Sequence, residues 1–331
     1  MPMVRKRSAL AAAVVVLLLS IVCGSPPAFL PGGRVLLDAH NAYPYEGRWA
    51  DRIDRALATG VPLAIEQDLA FCTSQPGARR EPVVTHEDRC HGGEPTLRAY
   101  FFERIRPIME RALAEGPSAH WPLVTLNLDF KTNEPEHHRA VWSLLGEHER
   151  WLTTAPRPEG AGDISPLTPG PLLVLTGAHD TQQQTFFDSV PAGGTLRLFG
   201  AVATLDPDTA GALPRPGPPS AYRRWWNHPW RIVEAGGPRQ ALTWRPEEAA
   251  RLEALTRTAH RAGLWLRLYT LNGHPAEDAQ GWFDGYNFGT REAAAIRWRA
   301  AIDAGVDFIA TDQYEGLAGE LARRRPAPGG R

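Results

Sequence analysis

The sequence predicts a single-domain (β/α)8 barrel spanning residues 25–322. Apolar segments of strand length recur roughly eight times along the 331-residue chain. Several are almost continuously apolar, which is expected of parallel strands that are covered on both faces. Segments with helical spacing lie between most of them, and this alternation is typical of a parallel barrel with an outer ring of helices.

The predicted strands are the apolar segments at residues 35–38, 62–69, 83–85, 123–130, 172–176, 196–199, 264–270 and 308–311. Helices are predicted where apolar side chains recur with a period near 3.6, at residues 48–59, 96–114, 134–152, 246–262 and 290–304. Pro246 suits a first helical turn, and Glu247 and Glu248 complement the helix dipole there. The Pro- and Gly-rich stretches 155–171 and 206–218 are predicted as long loops within the domain, and 323–331 as a disordered tail.

The first 24 residues are predicted to be a secretory signal peptide. Three basic residues at 5–7 precede an apolar run at 9–22, which is shorter than the ~20 residues of a membrane-spanning helix. Small residues allow cleavage after Gly24, while lipid attachment at Cys23 and an uncleaved leader are the alternatives. We therefore expect a secreted or cell-envelope-associated protein.

Cleavage after Gly24 would leave Cys72 and Cys90 as the only cysteines of the mature chain. An even pair in an exported protein indicates a disulfide, which would contribute about 3 kcal/mol in the chain-entropy model. Two free buried thiols are the alternative.

Charge and composition exclude one class of partner. The formal net charge is -1, and no cluster of basic residues is interleaved with aromatic residues. The sequence therefore lacks the electrostatic signature of a nucleic-acid-binding protein. We expect a monomer that acts on a small-molecule or lipid substrate, with a membrane surface as a candidate partner.

Polar side chains occur where successive predicted strands end. Because the carboxyl ends of all strands of a parallel barrel meet at one mouth, these side chains should lie together. In chain order they are His40 and Asn41, Glu66 and Asp68, His86, Asp129 and Lys131, Tyr269 and Asn272, and Asp312.

Lys131 is unusual because it is the only lysine after Lys6 in a chain with 36 basic residues. An ammonium is a compact point charge and a guanidinium is a planar fork, so the two are not interchangeable at a tight site. Asp129 and Lys131 alternate onto the same face of their strand. A simple salt bridge between them is the alternative interpretation, although it leaves the neighbouring carboxylates of Glu66 and Asp68 unexplained.

Taken in order, these segments resemble the phosphatidylinositol-phospholipase-C-like phosphodiesterase superfamily, which includes glycerophosphodiester phosphodiesterases and sphingomyelinase D-like enzymes. The resemblance spans nearly the whole mature chain. It depends on Ala39-His40-Asn41, Ala-Ile-Glu66-Gln-Asp68, Val-Val-Thr-His86, Leu-Asn-Leu-Asp129-Phe-Lys131, Leu-Tyr269-Thr-Leu-Asn272 and Gly-Val-Asp-Phe-Ile-Ala-Thr-Asp312.

The resemblance implies a role for each matched residue. It implies that His40 and His86 are the acid/base histidines and that Lys131 lies near the phosphate. It implies that Glu66, Asp68 and Asp129 are the ligands of one divalent cation. Asn41, Tyr269, Asn272 and Trp226 are the candidate substrate-binding residues.

This chain also departs from the family. Glycerophosphodiesterases usually have His-Arg-Gly where this chain has His40-Asn41-Ala42, so an arginine that contacts phosphate is missing. His-Asn is nearer to phospholipase C enzymes, in which the Asn can join the metal shell. Trp226 belongs to an aromatic segment, 222–230, that either lines a head-group pocket or presents tryptophan to a lipid interface. A packed loop at the barrel rim is the alternative for that segment.

The residue chemistry leads to the same activity. Three carboxylates suit a hard cation, Mg²⁺ or Ca²⁺. Imidazoles titrate near neutrality, so one can take a proton from an attacking hydroxyl while the other protonates the leaving oxygen. We expect a metal-dependent phosphodiesterase that cleaves a phospholipid or glycerophosphodiester, with a cyclic phosphate as a candidate intermediate. A glycoside hydrolase that uses the same carboxylates and a non-catalytic binding module are the alternatives.

Overall fold

A computed structural model of the chain describes residues 29–44, 49–73, 77, 79–160, 162–205, 212–234, 242–275 and 287–324. The predicted signal peptide and most of the predicted tail lie outside these residues. Within the described ranges, every helix is too short or too polar to cross a lipid bilayer.

The described residues form thirteen β-strands. In chain order they are β1 (Leu36–Ala39), β2 (Leu63–Thr73), β3 (Arg80–Val84), β4 (Val124–Phe130), β5 (Ala155–Pro156), β6 (Leu172–Thr176), β7 (Thr195–Leu196), β8 (Phe199–Ala201), β9 (Thr204–Leu205), β10 (Arg215–Pro216), β11 (Arg223–Pro229), β12 (Trp265–Tyr269) and β13 (Phe308–Thr311).

Eight of these strands are parallel and form a closed barrel. They follow one another around it in the order β1, β2, β4, β6, β8, β11, β12 and β13, and β13 pairs again with β1. Helices lie between most of these strands: α1 (Arg52–Ala58), α2 (Glu103–Glu115), α3 (Pro135–Glu147), α4 (Asp180–Gln183), α5 (Pro246–Arg261), α6 (Arg291–Ala304) and α7 (Tyr314–Arg324). The predicted (β/α)8 barrel is therefore confirmed.

Phe29 packs at the amino-terminal end of the barrel. Its ring stacks on Trp265 with a centroid distance of 5.5 Å and packs edge-on against Phe308 at 5.9 Å. Trp265 and Phe308 are the first residues of β12 and β13, so Phe29 covers the end opposite the mouth. The chain thus enters the barrel on the face that lies away from the polar strand ends.

One predicted barrel strand is wrong. Residues 83–85 belong to β3 and its end, and β3 pairs antiparallel with β2 outside the barrel. The reason is that β2 continues four residues beyond Leu69, and the chain then turns back along its own edge. The loop after β3 consequently returns to the mouth.

The aromatic segment completes the barrel instead. Residues 223–229 form β11, which pairs with β8 on one side and β12 on the other. The alternative of a packed rim loop is therefore wrong, and the tryptophans of this segment are buried and do not face a lipid interface. Helix α7 was also not predicted, and it extends to Arg324, beyond the expected start of the tail at 323.

The expected disulfide between Cys72 and Cys90 is present, with a Cα–Cα distance of 6.1 Å. It joins the end of β2 to the loop that follows β3. The loop that carries His86 is thus held covalently at a point four residues beyond that histidine.

Helix α3 buries two adjacent histidines. His137 and His138 are both fully buried. His137 stacks on Phe71 at 5.3 Å and packs edge-on against Phe130 at 4.8 Å. The rings therefore serve as core aromatic groups that cover β2 and β4.

This burial predicts a loss of stability in acid. Burial lowers the pKa of His137 to about 4, whereas an exposed histidine titrates near 6.5. The unfolded chain takes up a proton below pH 6.5 that the folded chain does not, so the free energy of unfolding should fall as the pH drops from 6.5 towards 4. The free energy of unfolding can be measured with urea at pH 7.0 and 4.5. We expect its decrease between these two pH values to be about 2 kcal/mol smaller in His137→Phe than in the parent protein. The same substitution at the exposed His120 is the control. An unchanged pH dependence in His137→Phe would contradict this account of α3.

Candidate active site

The strand register brings four polar residues together at the mouth. In the parallel pairing of β2 with β4, Glu66 lies opposite Asn127 and Asp68 lies opposite Asp129. Side chains at alternate positions point to the same face of a strand. The polar residues of both strands therefore share the barrel interior at its carboxyl end.

Three carboxylates form the centre of this group. One oxygen from each of Glu66, Asp68 and Asp129 lies within 4.8 Å of the other two. Glu66 and Asp68 are buried, while the Asp129 side chain is half exposed. The spacing allows all three to contact a single ion.

The Asp68 carboxylate shows the clearest need for such an ion. Its Oδ1 atom is buried and has no hydrogen-bond partner among the described residues. Burial and the negative charge of Asp129 raise the pKa of Asp68 to about 7. A buried carboxylate oxygen without a partner is costly, and a hard divalent cation would satisfy it. The residues present therefore fit a Mg²⁺ or Ca²⁺ site.

Lys131 lies against the same carboxylates. Its Nζ atom is 2.8 Å from Asp68 Oδ2 and 2.8 Å from Asp129 Oδ2. Burial alone would lower the pKa of Lys131, but attraction to Asp68 and Asp129 outweighs it and raises the pKa above its ordinary value. The simple pair with Asp129 is thus present, and it extends to Asp68. The ammonium group is fixed at the edge of the acidic cluster.

His40 follows β1 and lies on one side of the cluster. Its Nε2 atom is 3.4 Å from Glu66 Oε2, and its Nδ1 atom is 2.7 Å from Asp312 Oδ1. Burial would lower the pKa of His40, but the carboxylates of Glu66 and Asp312 outweigh it and raise the pKa above 6.5. One ring nitrogen is thus anchored, and the other faces the mouth.

His86 lies on the other side, and β3 brings it there. The Thr85 N–H donates to the Asp68 carbonyl at 3.0 Å, so the chain is held beside β2 as it reaches the mouth. His86 Nε2 is 4.0 Å from Asp68 Oδ2, and its side chain is 41% exposed. Burial, followed by the positive charge of Lys131, lowers the pKa of His86 below its usual value. The two histidines therefore titrate on opposite sides of 6.5.

Sequence reasoning missed the arginine at the base of the site. Arg267 is buried in the middle of β12, where it pairs with Asp38 and donates to Glu66 Oε1 at 3.0 Å. A charged residue inside the apolar run Trp-Leu-Arg-Leu-Tyr was the signal that could have identified it. Arg267 fixes the position of Glu66 from below.

Two further residues were missed or undervalued. The Tyr43 hydroxyl lies 2.7 Å from Asp68 Oδ2 and 2.5 Å from Asn41 Oδ1. Asp312 was grouped with the mouth residues without a role, and it contacts His40 and also pairs with Arg52 at 3.4 Å. Both residues hold the acid/base and acidic groups in place.

The candidate substrate-binding residues have different surroundings. Tyr269 lines the mouth, with its ring stacked on His40 at 6.2 Å. Asn41 is buried, and its side chain contacts Tyr43, His40 and Asp312. Asn272 is fully buried, and it accepts hydrogen bonds from the Asp312 N–H and from Thr311. It positions Asp312, and its assignment to substrate contact is wrong.

Trp226 is also wrongly assigned to the substrate site. Its neighbours on β11, Trp225 and Asn227, face the barrel interior, where Asn227 contacts Arg267 at 3.1 Å. Trp226 therefore faces outward, and its indole N–H donates to Thr204 Oγ1 at 2.9 Å on β9. It is fully buried beneath the β9–β10 hairpin and does not reach the mouth.

Comparison with known proteins gives similarities of fold only. No protein-family model and no curated protein matches the chain. Two crystal structures of glycerophosphodiester phosphodiesterases from Parabacteroides distasonis are similar, at 14% and 12% identity and TM-scores of 0.42 and 0.46. They cover 89% and 88% of this chain and 88% and 99% of their own.

A third similar structure is a calcium-dependent phosphoinositol-specific phospholipase C from a Pseudomonas species. It is 12% identical, has a TM-score of 0.44, and covers 88% of this chain and 92% of its own. The three structures belong to the enzyme classes named by the sequence resemblance. At these identities and TM-scores the likeness is one of fold alone.

The acidic cluster predicts stabilisation by a divalent cation. An ion that binds only the folded state would add about 2.7 kcal/mol at a concentration one hundred times its dissociation constant. We expect Mg²⁺ or Ca²⁺ to raise the melting temperature of the chelated protein, and Asp129→Asn to lose most of that rise. Asp88→Asn is the matched control, because it removes the same charge from an exposed position near His86. Equal responses of Asp129→Asn and Asp88→Asn would contradict the assignment.

Proposed function

We propose that this protein is a metal-dependent phosphodiesterase. The observation that carries the proposal is the grouping of Glu66, Asp68 and Asp129 within 4.8 Å, with Lys131 at its edge. Two histidines lie beside this cluster, each next to one carboxylate of β2. Opposite charges and two acid/base groups around one mouth suit the transfer of a phosphoryl group.

Glu66, Asp68 and Asp129 would hold the cation. When bound, it would neutralise negative charge on the non-bridging oxygens of the phosphodiester. Lys131 would supply a second positive charge to the same oxygens as charge builds in the transition state. The contacts of Lys131 with Asp68 and Asp129 support this placement, since they fix its ammonium group beside the cluster.

His40 and His86 would transfer the protons. Their pKa values lie on opposite sides of 6.5, so one ring can hold a proton while the other accepts one. Asp312 accepts a hydrogen bond from His40 Nδ1, which directs Nε2 towards the reacting group. The attacking hydroxyl would come from the substrate, giving a cyclic phosphate, or from water.

The substrate proposed is a phospholipid or its deacylated head group, bound by a monomeric enzyme in the mouth beside Tyr269. We also propose export from the cytoplasm, which the Cys72–Cys90 disulfide supports because such bonds persist in oxidising compartments. Contact with a membrane surface belongs to the same proposal.

A screen of phosphodiesters with and without EDTA tests the proposal. The panel contains glycerophosphodiesters, phosphatidylinositol and sphingomyelin, with aryl glycosides as the comparison substrates. We expect turnover of at least one phosphodiester, its loss in EDTA and its recovery with Mg²⁺ or Ca²⁺. Full turnover in EDTA, or turnover of glycosides alone, would contradict the proposal.

The two histidines should be essential for turnover. We expect His40→Ala and His86→Ala each to lower kcat by at least ~10², the usual contribution of a general acid or base. His91→Ala is the control, because it removes an exposed histidine from the same loop as His86. Melting temperatures should separate loss of chemistry from loss of fold. A mutant with nearly normal kcat would show that its histidine has another role.

Lys131 should not tolerate exchange for arginine. The ammonium lies 2.8 Å from two carboxylates, and a wider planar guanidinium would displace one of its partners or the phosphate. We expect Lys131→Arg and Lys131→Met both to lower kcat strongly with smaller changes in KM. If Lys131 serves only the fold, Lys131→Arg will have normal kinetics and both variants will mainly lower the melting temperature.

A further inference from the structure

A second pocket lies behind the proposed active site, on the same face of the barrel. Its volume is about 300 Å³, the lower end of the range for small-molecule sites. Its walls include Trp49, Arg52, Arg55, His274, Arg291 and Gly316. These residues come from the loops and helices that follow β1, β12 and β13.

Positive charge predominates among the lining residues. Three arginines line the pocket, against the two carboxylates of Asp312 and Glu315. This is the opposite of the proposed active site, where three carboxylates are grouped.

The arginines differ in how far they are already paired. Arg55 makes two 2.8 Å hydrogen bonds with Glu315. Arg52 is buried, donates to the Asn41 carbonyl at 2.8 Å and pairs with Asp312 at 3.4 Å. Arg291 has no carboxylate within 4.0 Å among the described residues, although its charge helps to lower the pKa of Glu315, and its guanidinium lies near Gly316. Among the described residues, Arg291 is therefore the lining arginine that is not paired with a carboxylate.

The helices reinforce this charge. Arg291 is the first residue of α6, and the first turn of α7 contributes Glu315 and Gly316 to the lining. The amino-terminal end of a helix carries partial positive charge and favours anions. The positive ends of both helices therefore act together with the arginine side chains.

Asp312 separates this pocket from His40. Its Oδ1 atom contacts His40 Nδ1 at 2.7 Å, and its Oδ2 atom contacts Arg52 on the pocket side. The carboxylate is buried, and its two oxygens contact residues on opposite sides. It therefore separates the pocket from the acidic mouth. A ligand in the pocket would lie outside the acidic mouth.

We propose that this pocket binds a phosphate group, either free phosphate or a small phosphomonoester. A tetrahedral dianion accepts hydrogen bonds on several sides, which suits guanidinium groups that converge from α1 and α6. A pocket of about 300 Å³ leaves space for a short substituent on the phosphate. The proposal does not depend on the activity assigned to the mouth.

Binding can be measured in EDTA, where the acidic mouth has no cation to attract an anion. The melting temperature is recorded against inorganic phosphate and against glycerol phosphate, with sodium chloride at equal ionic strength as the reference. We expect both phosphates to raise the melting temperature beyond chloride. A response to only one of them identifies the ligand as free phosphate or as a phosphomonoester.

Variants of the lining residues test whether phosphate binds in this pocket. Arg291→Gln should weaken phosphate binding at least fivefold, whereas Arg299→Gln, which removes the same charge farther along α6, should leave it unchanged. Glu315→Gln should strengthen binding severalfold, because it removes a competing carboxylate and frees Arg55. Equal phosphate responses in the parent protein, Arg291→Gln and Glu315→Gln, or no response beyond chloride, would overturn the proposal.

Discussion

The rest of the mouth depends on the ion pairs of the buried Arg267 guanidinium with Asp38 and Glu66. The guanidinium lies inside the barrel and joins β12 to Asp38 on β1, Glu66 on β2 and Asn227 on β11. Removing one partner of a buried ion pair commonly costs about 3–5 kcal/mol, since a charge is left without compensation. Arg267 thus ties four strands together and sets the height of Glu66 in the mouth.

From Arg267 outward, acidic and basic side chains alternate through the site. Glu66 lies above Arg267, His40 contacts Glu66, and Asp312 holds His40 from behind. On the other side Lys131 pairs with Asp68 and Asp129. Among these groups, the Oδ1 atom of Asp68 lacks a hydrogen-bond partner within the described residues. This unpartnered oxygen lies within the group of three carboxylates that a cation would share.

The order of polar residues along the chain made the core of this site predictable. In a parallel barrel each strand ends at the same mouth, so His40, Glu66, Asp68, Asp129 and Lys131 could be grouped from sequence alone. His86 was also grouped correctly, although for an incorrect reason. Its strand is not part of the barrel but returns antiparallel along β2.

The incorrect and missed assignments have one physical cause. The polarity of a residue does not reveal which side chains surround it in the folded protein. The aromatic side chain of Trp226 is of a type that lipid interfaces use. It points outward from the barrel on β11, however, and lies beneath the β9–β10 hairpin. His137 is polar in sequence, and the aromatic rings of Phe71 and Phe130 bury it. Arg267 was overlooked because its partners, Asp38 and Glu66, are distant in the chain and become neighbours only when the barrel closes.

We propose that the mouth holds a divalent cation among Glu66, Asp68 and Asp129. The most direct measurement is an anomalous difference map from crystals of the protein grown with Mn²⁺, which substitutes for Mg²⁺ or Ca²⁺ at oxygen-rich sites. The account predicts one strong peak at bonding distance, about 2.0–2.6 Å, from oxygens of all three carboxylates. A map with no peak there, from crystals whose dissolved protein turns over a phosphodiester, would contradict it.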